Sequence, residues 1–236
     1  MSLARGLTAE AVATALLLAA VVGSGIMGER LSGGSVALAL LANTLATGSV
    51  LVALLLAFGP ISGAHLNPVV TLTDAWTGSL GWHEAFGYVA AQTAGAAAGV
   101  MVANLMFGEP LLALSEHGRH GGAQLLSEFV ATFGLLSVVS SCSRLRPTAT
   151  PFAVGAYITA AYWFTASTSF ANPAVTVARA LTDTFAGIQP SDVPGFVGAQ
   201  LLAGATAAVV WSWLLPRAAV AAPVATTMAP APAYPP

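Results

Sequence analysis

Lysine is absent from this 236-residue chain, and only 7% of its residues are charged against 56% hydrophobic. A soluble domain of that length carries charge over far more of its surface, so the composition excludes one and points to an integral membrane protein. A formal net charge of −2 provides no basic field to draw nucleic acid. The lone cysteine, Cys142, excludes an internal disulfide framework and a cysteine-based zinc site, and reads as a buried, inert thiol. No His/Glu spacing suits a metal, and no Ser/His or Ser/Lys pair forms an evident catalytic pattern. Neither an enzyme nor a metal or other cofactor is expected.

What the chain has instead is long apolar runs. Six are long enough to span a bilayer, near residues 8–27, 35–58, 84–106, 123–143, 150–169 and 193–215. The first follows Arg5 and resembles a secretory signal, but its length and the Glu10 that opens it favour a retained helix. Residues 1–7 then form a short N-terminal segment. Residues 216–236 are rich in Pro and Ala, with little to bury, and are expected to be disordered. Arg5, Arg144, Arg146 and Arg217 fall on one side of a six-span arrangement, Arg30 and Arg119 on the other. That bias puts both termini in the cytoplasm.

The two halves repeat. AEAVATA (9–15) matches SEFVATF (127–133), NPVVTLTD (67–74) matches NPAVTVAR (172–179), and GYVAAQ (87–92) matches GFVGAQ (195–200). The order is the same in both, which defines repeats of about 8–106 and 123–215 within one unit, 8–215. Each repeat holds three spans, an odd number, so the second is inserted upside down, and the special site of such an inverted repeat is expected near the midplane.

Two further stretches, ISGAHLNPVVTL (61–72) and TSFANPAVTVARAL (168–181), are apolar enough to enter the membrane but too short to cross it. In each, an Asn precedes a Pro and a short helix-compatible run. Asn is a favoured N-cap and Pro suits the first helical position, so Asn67–Pro68 and Asn172–Pro173 each start a half-helix. Inverted topology brings them in from opposite faces to meet at the centre, where irregular backbone survives only if buried or lining a wet cavity. With each Asn oxygen capping its own helix, the NH₂ groups are free to donate to a passing solute. Two half-helix N-termini at the same point discourage cations. This describes a conduit for small neutral polar solutes.

With SGAHLNP, a second Asn-Pro motif, Glu in the first and fourth spans and Gln in the third and sixth, the chain resembles the aquaporin (major intrinsic protein) family over residues 8–215. The resemblance implies an all-α membrane fold of six transmembrane helices plus two re-entrant half-helices, a pore in every protomer, and a homotetramer in the plasma membrane. It makes Asn67 and Asn172 the central pair, and Glu10 and Glu128 buried carboxylates that hold the re-entrant loops. An ionisable group inside a span is costly and normally paired, although Glu10 also sits near enough to its span's start to lie at the interface. His65 is read as a pore-lining or loop-bracing group.

Family members narrow their pore at four positions, which fall by counting from the two Asn on Thr47, Ala160, Ser169 and Val175. Water-selective relatives carry aromatic, His, small and Arg groups there, and glycerol-conducting relatives two aromatics with Gly and Arg. This chain has neither set, and resembles bacterial members with a wide filter that lacks Arg. Loss of the bulk and of the guanidinium widens the opening and removes a fixed charge. The solutes implied are water, glycerol-like polyols, and metalloid hydroxides such as arsenous acid or methylated arsenicals. Arg179 shares the face of Val175 one turn on, a candidate for charge in one vestibule, with Asp74 its counterpart at the other. Alternatively both extend to headgroups or pair with loop groups.

The run SEHGRH (115–120) reads as a solvated connection, and GAAAG (95–99) as a close helix contact. Two competing functions remain open: a water-selective channel, and an ion-coupled secondary transporter using Glu10, Asp74 or Glu128.

Overall fold

The computed structural model describes residues 2–215. Among them are eight α-helices: α1 (Leu3–Leu31), α2 (Val36–Ser62), α3 (Pro68–Trp76), α4 (Trp82–Phe107), α5 (Gly122–Leu145), α6 (Thr150–Phe164), α7 (Pro173–Arg179) and α8 (Val193–Leu214). Six form the bundle, and α3 and α7 are the half-helices. The fold is the all-α, six-span, two-half-helix arrangement expected. The Pro/Ala-rich tail and Arg217 lie outside the described residues.

Five of the six bundle helices are long and apolar enough to cross a membrane. The exception is α6, with 15 residues. At 1.5 Å per residue it covers about 22 Å, less than the roughly 30 Å hydrocarbon core. The run 150–169 is broken after Phe164, where the chain turns extended and becomes the approach to α7. At the other end of the chain, helix α1 begins at Leu3, so most of the segment 1–7 is already helical.

Helix α1 packs against α4 and α2, and α5 packs against α8 and α6, which is the same set of partners in each half. Small residues permit it. A Cβ on Gly95 or Gly99 would stand 2.2 Å from the carbonyl oxygen of Ala11 or Ala15 on α1. The GAAAG run is thus a backbone-to-backbone seam, where packing rather than hydrophobic transfer holds helices together. Gly99→Ala is expected to cost about 1–3 kcal/mol through overpacking, read as a lower melting temperature in detergent. An unchanged melting temperature would mean that α1 and α4 separate without penalty. Large apolar side chains such as Leu16, Phe86, Leu202 and Trp213 point outward, as a lipid-facing surface requires. Cys142 is free but half-buried rather than buried, because its position on α5 lies toward the outside.

Candidate functional site

The two loops that lead into α3 and α7 are built alike, step for step. Gly63, Ala64 and Leu66 have φ of 89°, 48° and 51°. Their repeat partners Thr168, Ser169 and Ala171 have 60°, 51° and 48°. Five of these six are not glycine, and left-handed backbone costs such residues roughly 1–2 kcal/mol each. The strain persists because each loop is clamped from behind.

The clamps are Glu10 and Glu128, both fully buried. Oε1 of Glu10 accepts from the Ser62 hydroxyl at 2.6 Å and the His65 N–H at 3.0 Å; Oε2 accepts from the Leu66 N–H and Gln92 Nε2, both at 2.8 Å. Glu128 repeats the pattern with the Phe170 and Ala171 N–H groups at 2.8 Å and Gln200 Nε2 at 2.6 Å. Gln92 and Gln200 each reach on to a threonine of the half-helix, Thr71 and Thr176, at 2.9 Å. Glu10 is therefore closed off inside the bundle and bonded to a loop. Every carboxyl oxygen is satisfied, which is what makes a buried acid tolerable.

At the centre, Asn67 Oδ1 accepts from the Val69 N–H at 2.9 Å, and Asn172 Oδ1 from the Ala174 and Val175 N–H groups at 3.0 and 3.2 Å. Pro68 and Pro173 occupy the first helical positions, so both caps form as expected. The NH₂ groups are not wholly free, however. Asn67 Nδ2 donates to the Ala171 carbonyl at 2.8 Å and Asn172 Nδ2 to the Leu66 carbonyl at 2.7 Å. An amide carries two N–H donors. One locks the loops together reciprocally, which leaves the other for a solute.

Both asparagines line a cavity of about 300 Å³ that reaches from Gly63, His65 and Asp74 to Ser169, Val175 and Arg179. Its walls are stripes at four-residue spacing, including Thr47, Leu51 and Leu55 on α2 and Val154, Ile158 and Tyr162 on α6. Thr47, Ser169 and Val175 fall on the lining. Ala160 does not: it is exposed on the outer side of α6, two residues and about 200° around the helix from the lining stripe. Tyr162 stands in its stead, buried, and its hydroxyl donates to Thr47 Oγ1 at 3.3 Å. The conduit thus has an aromatic where counting back from Asn172 gave none. The Ser169 hydroxyl, 3% exposed, has no hydrogen-bond partner among the described residues.

The ends of the conduit carry opposite charges. At one, His65 Nε2 lies 3.2 Å from Asp74 Oδ2, and His65 Nδ1 lies 3.0 Å from Thr71 Oγ1. His65 both lines the cavity and braces the loop. At the other, the Arg179 guanidinium carbon lies 3.5 Å from the Phe170 ring centroid, and its Nε donates to the Ala186 carbonyl. Arg179 is only 2% exposed. Both line the cavity, and each pairs with a loop group, Arg179 with the Ala186 carbonyl and Asp74 with His65.

Arg119 joins them, its guanidinium carbon 5.0 Å from the same ring and its Nε donating to the Gly187 carbonyl at 2.8 Å. The 115–120 run is therefore not simply solvated. Its backbone docks on the segment after α7, through Ser115 N–H to the Ala180 carbonyl and Gln189 N–H to the His117 carbonyl. Glu116, His117 and His120 stay exposed while Arg119 turns inward. Desolvation lowers the Arg119 guanidinium from its ordinary value, with Glu128 and Tyr162 pulling it back up. An arginine starts so far above neutrality that it keeps its charge. Tyr162, Phe170 and Arg119 were missed in the sequence. Thr71 and Thr176 had a signal, because each lies four residues after its Asn in both motifs.

Residues 1–149 match the profile of the family described as Major intrinsic protein. Aquaglyceroporin AqpS of Rhizobium meliloti (strain 1021) is 54% identical over 213 residues, covering 90% of this chain and 91% of that protein. Aquaporin NIP1-4 of Oryza sativa subsp. japonica is 44% identical over 97 residues, 40% of this chain and 35% of that protein. Among solved structures, the aquaglyceroporin from Plasmodium falciparum has a TM-score of 0.66 at 18% identity, covering 90% of this chain and 95% of that one. At that identity the likeness speaks for the fold.

Proposed function

Since this chain belongs to the major intrinsic protein family, whose members are channels rather than enzymes, we propose that it is a passive conduit for small neutral solutes in a multi-pass plasma-membrane protein. The observation that carries this reading is the reciprocal Asn67–Ala171 and Asn172–Leu66 bonding inside a continuous lined cavity. It leaves one donor per asparagine for a solute oxygen while tying both loops in place. A transporter that alternates access needs those elements to part, and the bonds that join the two half-helix approaches oppose it. Glu10 and Glu128, the groups such a transporter would titrate, are instead fully engaged in holding the loops.

The constriction in this reading is Thr47, Tyr162, Ser169 and Val175. Val175 leaves the conduit without a guanidinium at this position, and the wider opening leaves room for glycerol-like polyols. Uncharged metalloid hydroxides such as arsenous acid, and methylated arsenicals, have comparable size and hydrogen-bonding oxygens. Cations meet two half-helix N-termini and Arg179. Both termini are assigned to the cytoplasm from the arginine distribution, and the assembly to a homotetramer.

Stopped-flow light scattering on proteoliposomes, comparing water, glycerol and arsenous acid, tests the proposal. Wild type is expected to pass all three. Conduction of water alone would leave a water-selective channel, and flux that saturates and follows an ion gradient would favour a transporter. Tyr162→Ala removes the aromatic and its bond to Thr47, and is expected to raise the rate of polyols larger than glycerol several-fold while water changes little. Unchanged polyol rates would move the constriction elsewhere.

A further inference from the structure

Two arginines share one aromatic ring, buried Arg179 on the cavity lining and half-buried Arg119 behind it, and neither is neutralised. Among the described residues no carboxylate lies within ion-pair distance of the Arg119 or Arg179 guanidinium. The acids nearby are engaged elsewhere. Asp192 accepts from the Arg119 backbone N–H at 2.6 Å, Asp183 from the Glu116 N–H at 2.9 Å, and Glu128 from the loop amides behind Phe170. Arg179 spends one donor, Nε, on Ala186, and its two terminal amino groups have no hydrogen-bond partner among the described residues. On the same lining is the partnerless Ser169 hydroxyl. A desolvated charge with donors unspent is expensive unless a ligand completes it.

The free fork of Arg179 has the geometry that matches a planar oxyanion through two parallel N–H bonds. The Phe170 ring lies against that fork, and Arg119 adds charge from behind the same ring. Inward of this point lie the two half-helix N-termini, also favourable to an anion. The opposite mouth carries Asp74, which is not. An anion is drawn in from one side and faces a like charge at the exit.

We propose that the Arg179 mouth is a binding site for a small planar monovalent oxyanion, held by the terminal amino groups of Arg179 and by Ser169, whose occupancy plugs the conduit to neutral solutes. This rests on the conduit reading above. Nitrate is a suitable probe, because it is planar and does not become neutral near pH 7.

The experiment measures glycerol and water flux in proteoliposomes as nitrate is titrated at constant ionic strength against chloride, with electrical current recorded in parallel. Wild type is expected to slow in a saturable way with nitrate and to carry no nitrate current. Arg179→Gln loses the charged fork, and half-block should require about tenfold more nitrate, the size of one charge-assisted hydrogen bond. Arg119→Gln, whose side chain lies behind the ring, should shift it less. It also keeps the test available if Arg179→Gln does not assemble. Flux indifferent to nitrate, equal block in wild type and both variants, or a nitrate current would each overturn the proposal. Those results leave the conduit reading standing, whereas the absence of any solute flux in wild type removes that reading and this one together.

Discussion

Glu128→Ala is expected to yield little or no folded protein. The substitution leaves the Phe170 and Ala171 N–H groups and the Gln200 amide without their acceptor, in a site from which water is excluded. An orphaned buried donor costs about 1–3 kcal/mol, so three cost on the order of the whole stability of an ordinary domain. The strain stored at Thr168, Ser169 and Ala171 adds to the loss, because nothing then holds those residues in left-handed backbone. The check is the yield of monodisperse protein in detergent and its melting temperature, beside Glu128→Gln. Glutamine keeps one oxygen acceptor but turns a donor toward a donor, so it should fall between alanine and wild type. If Glu128→Ala melts close to wild type, the carboxyl is not what fixes the loop. Glu10→Ala, with the same arrangement in the other half, should behave alike.

Val175→Arg is expected to cut glycerol flux by about tenfold or more while water flux falls far less. Val175 lies on the conduit wall with Thr47 and Tyr162, and Arg179 occupies the next turn of the same face. A guanidinium there would share the opening with Thr47, Tyr162 and Ser169, without the Gly that accompanies Arg in glycerol-conducting relatives, so it fills space that a three-carbon polyol needs, and a tenfold slowing requires only about 1.4 kcal/mol of added barrier. Water can still pass as a smaller solute hydrogen-bonded to the new group. The measurement is the ratio of glycerol to water permeability in proteoliposomes at matched protein density. A ratio equal to wild type would mean that the narrowest point is not at Val175. The added cation also stands close to Arg179, so some loss of stability is expected, and protein density must be measured rather than assumed.

Which of the counted positions reach the cavity wall has a simple physical basis. Ser169 and Val175 lie three residues from Asn172, on backbone that the Glu128 clamp holds on one side and the Asn-Pro cap on the other, so no insertion or rotation can intervene. Ala160 lies across the end of a helix, as Thr47 does, and there the length of the intervening loop decides whether a count lands on the lining. The chain leaves α6 after Phe164 and runs through an extended, partly left-handed segment before the motif. The length of that segment is free to vary without disturbing either element, so distance from the Asn does not fix which face of α6 is presented. The lining stripe Val154–Ile158–Tyr162 does, and it excludes Ala160.

By itself the sequence determined the membrane class, the six runs, the inverted repeat and both half-helix caps. All of these follow from local or periodic features: apolar length against bilayer thickness, the order of matched segments, and the chemistry of Asn followed by Pro. It also marked Glu10 and Glu128, because a carboxyl inside an apolar span is conspicuous. The tertiary structure alone decided that each asparagine spends one N–H on the opposite loop, a bond between residues 104 or 106 positions apart. It alone placed Tyr162 on the cavity lining, and brought Arg119 from a polar connection onto the ring of Phe170. An arginine in a run of Glu, His and Gly looks solvated in one dimension. Its burial comes from docking on a segment after α7, which no local pattern encodes.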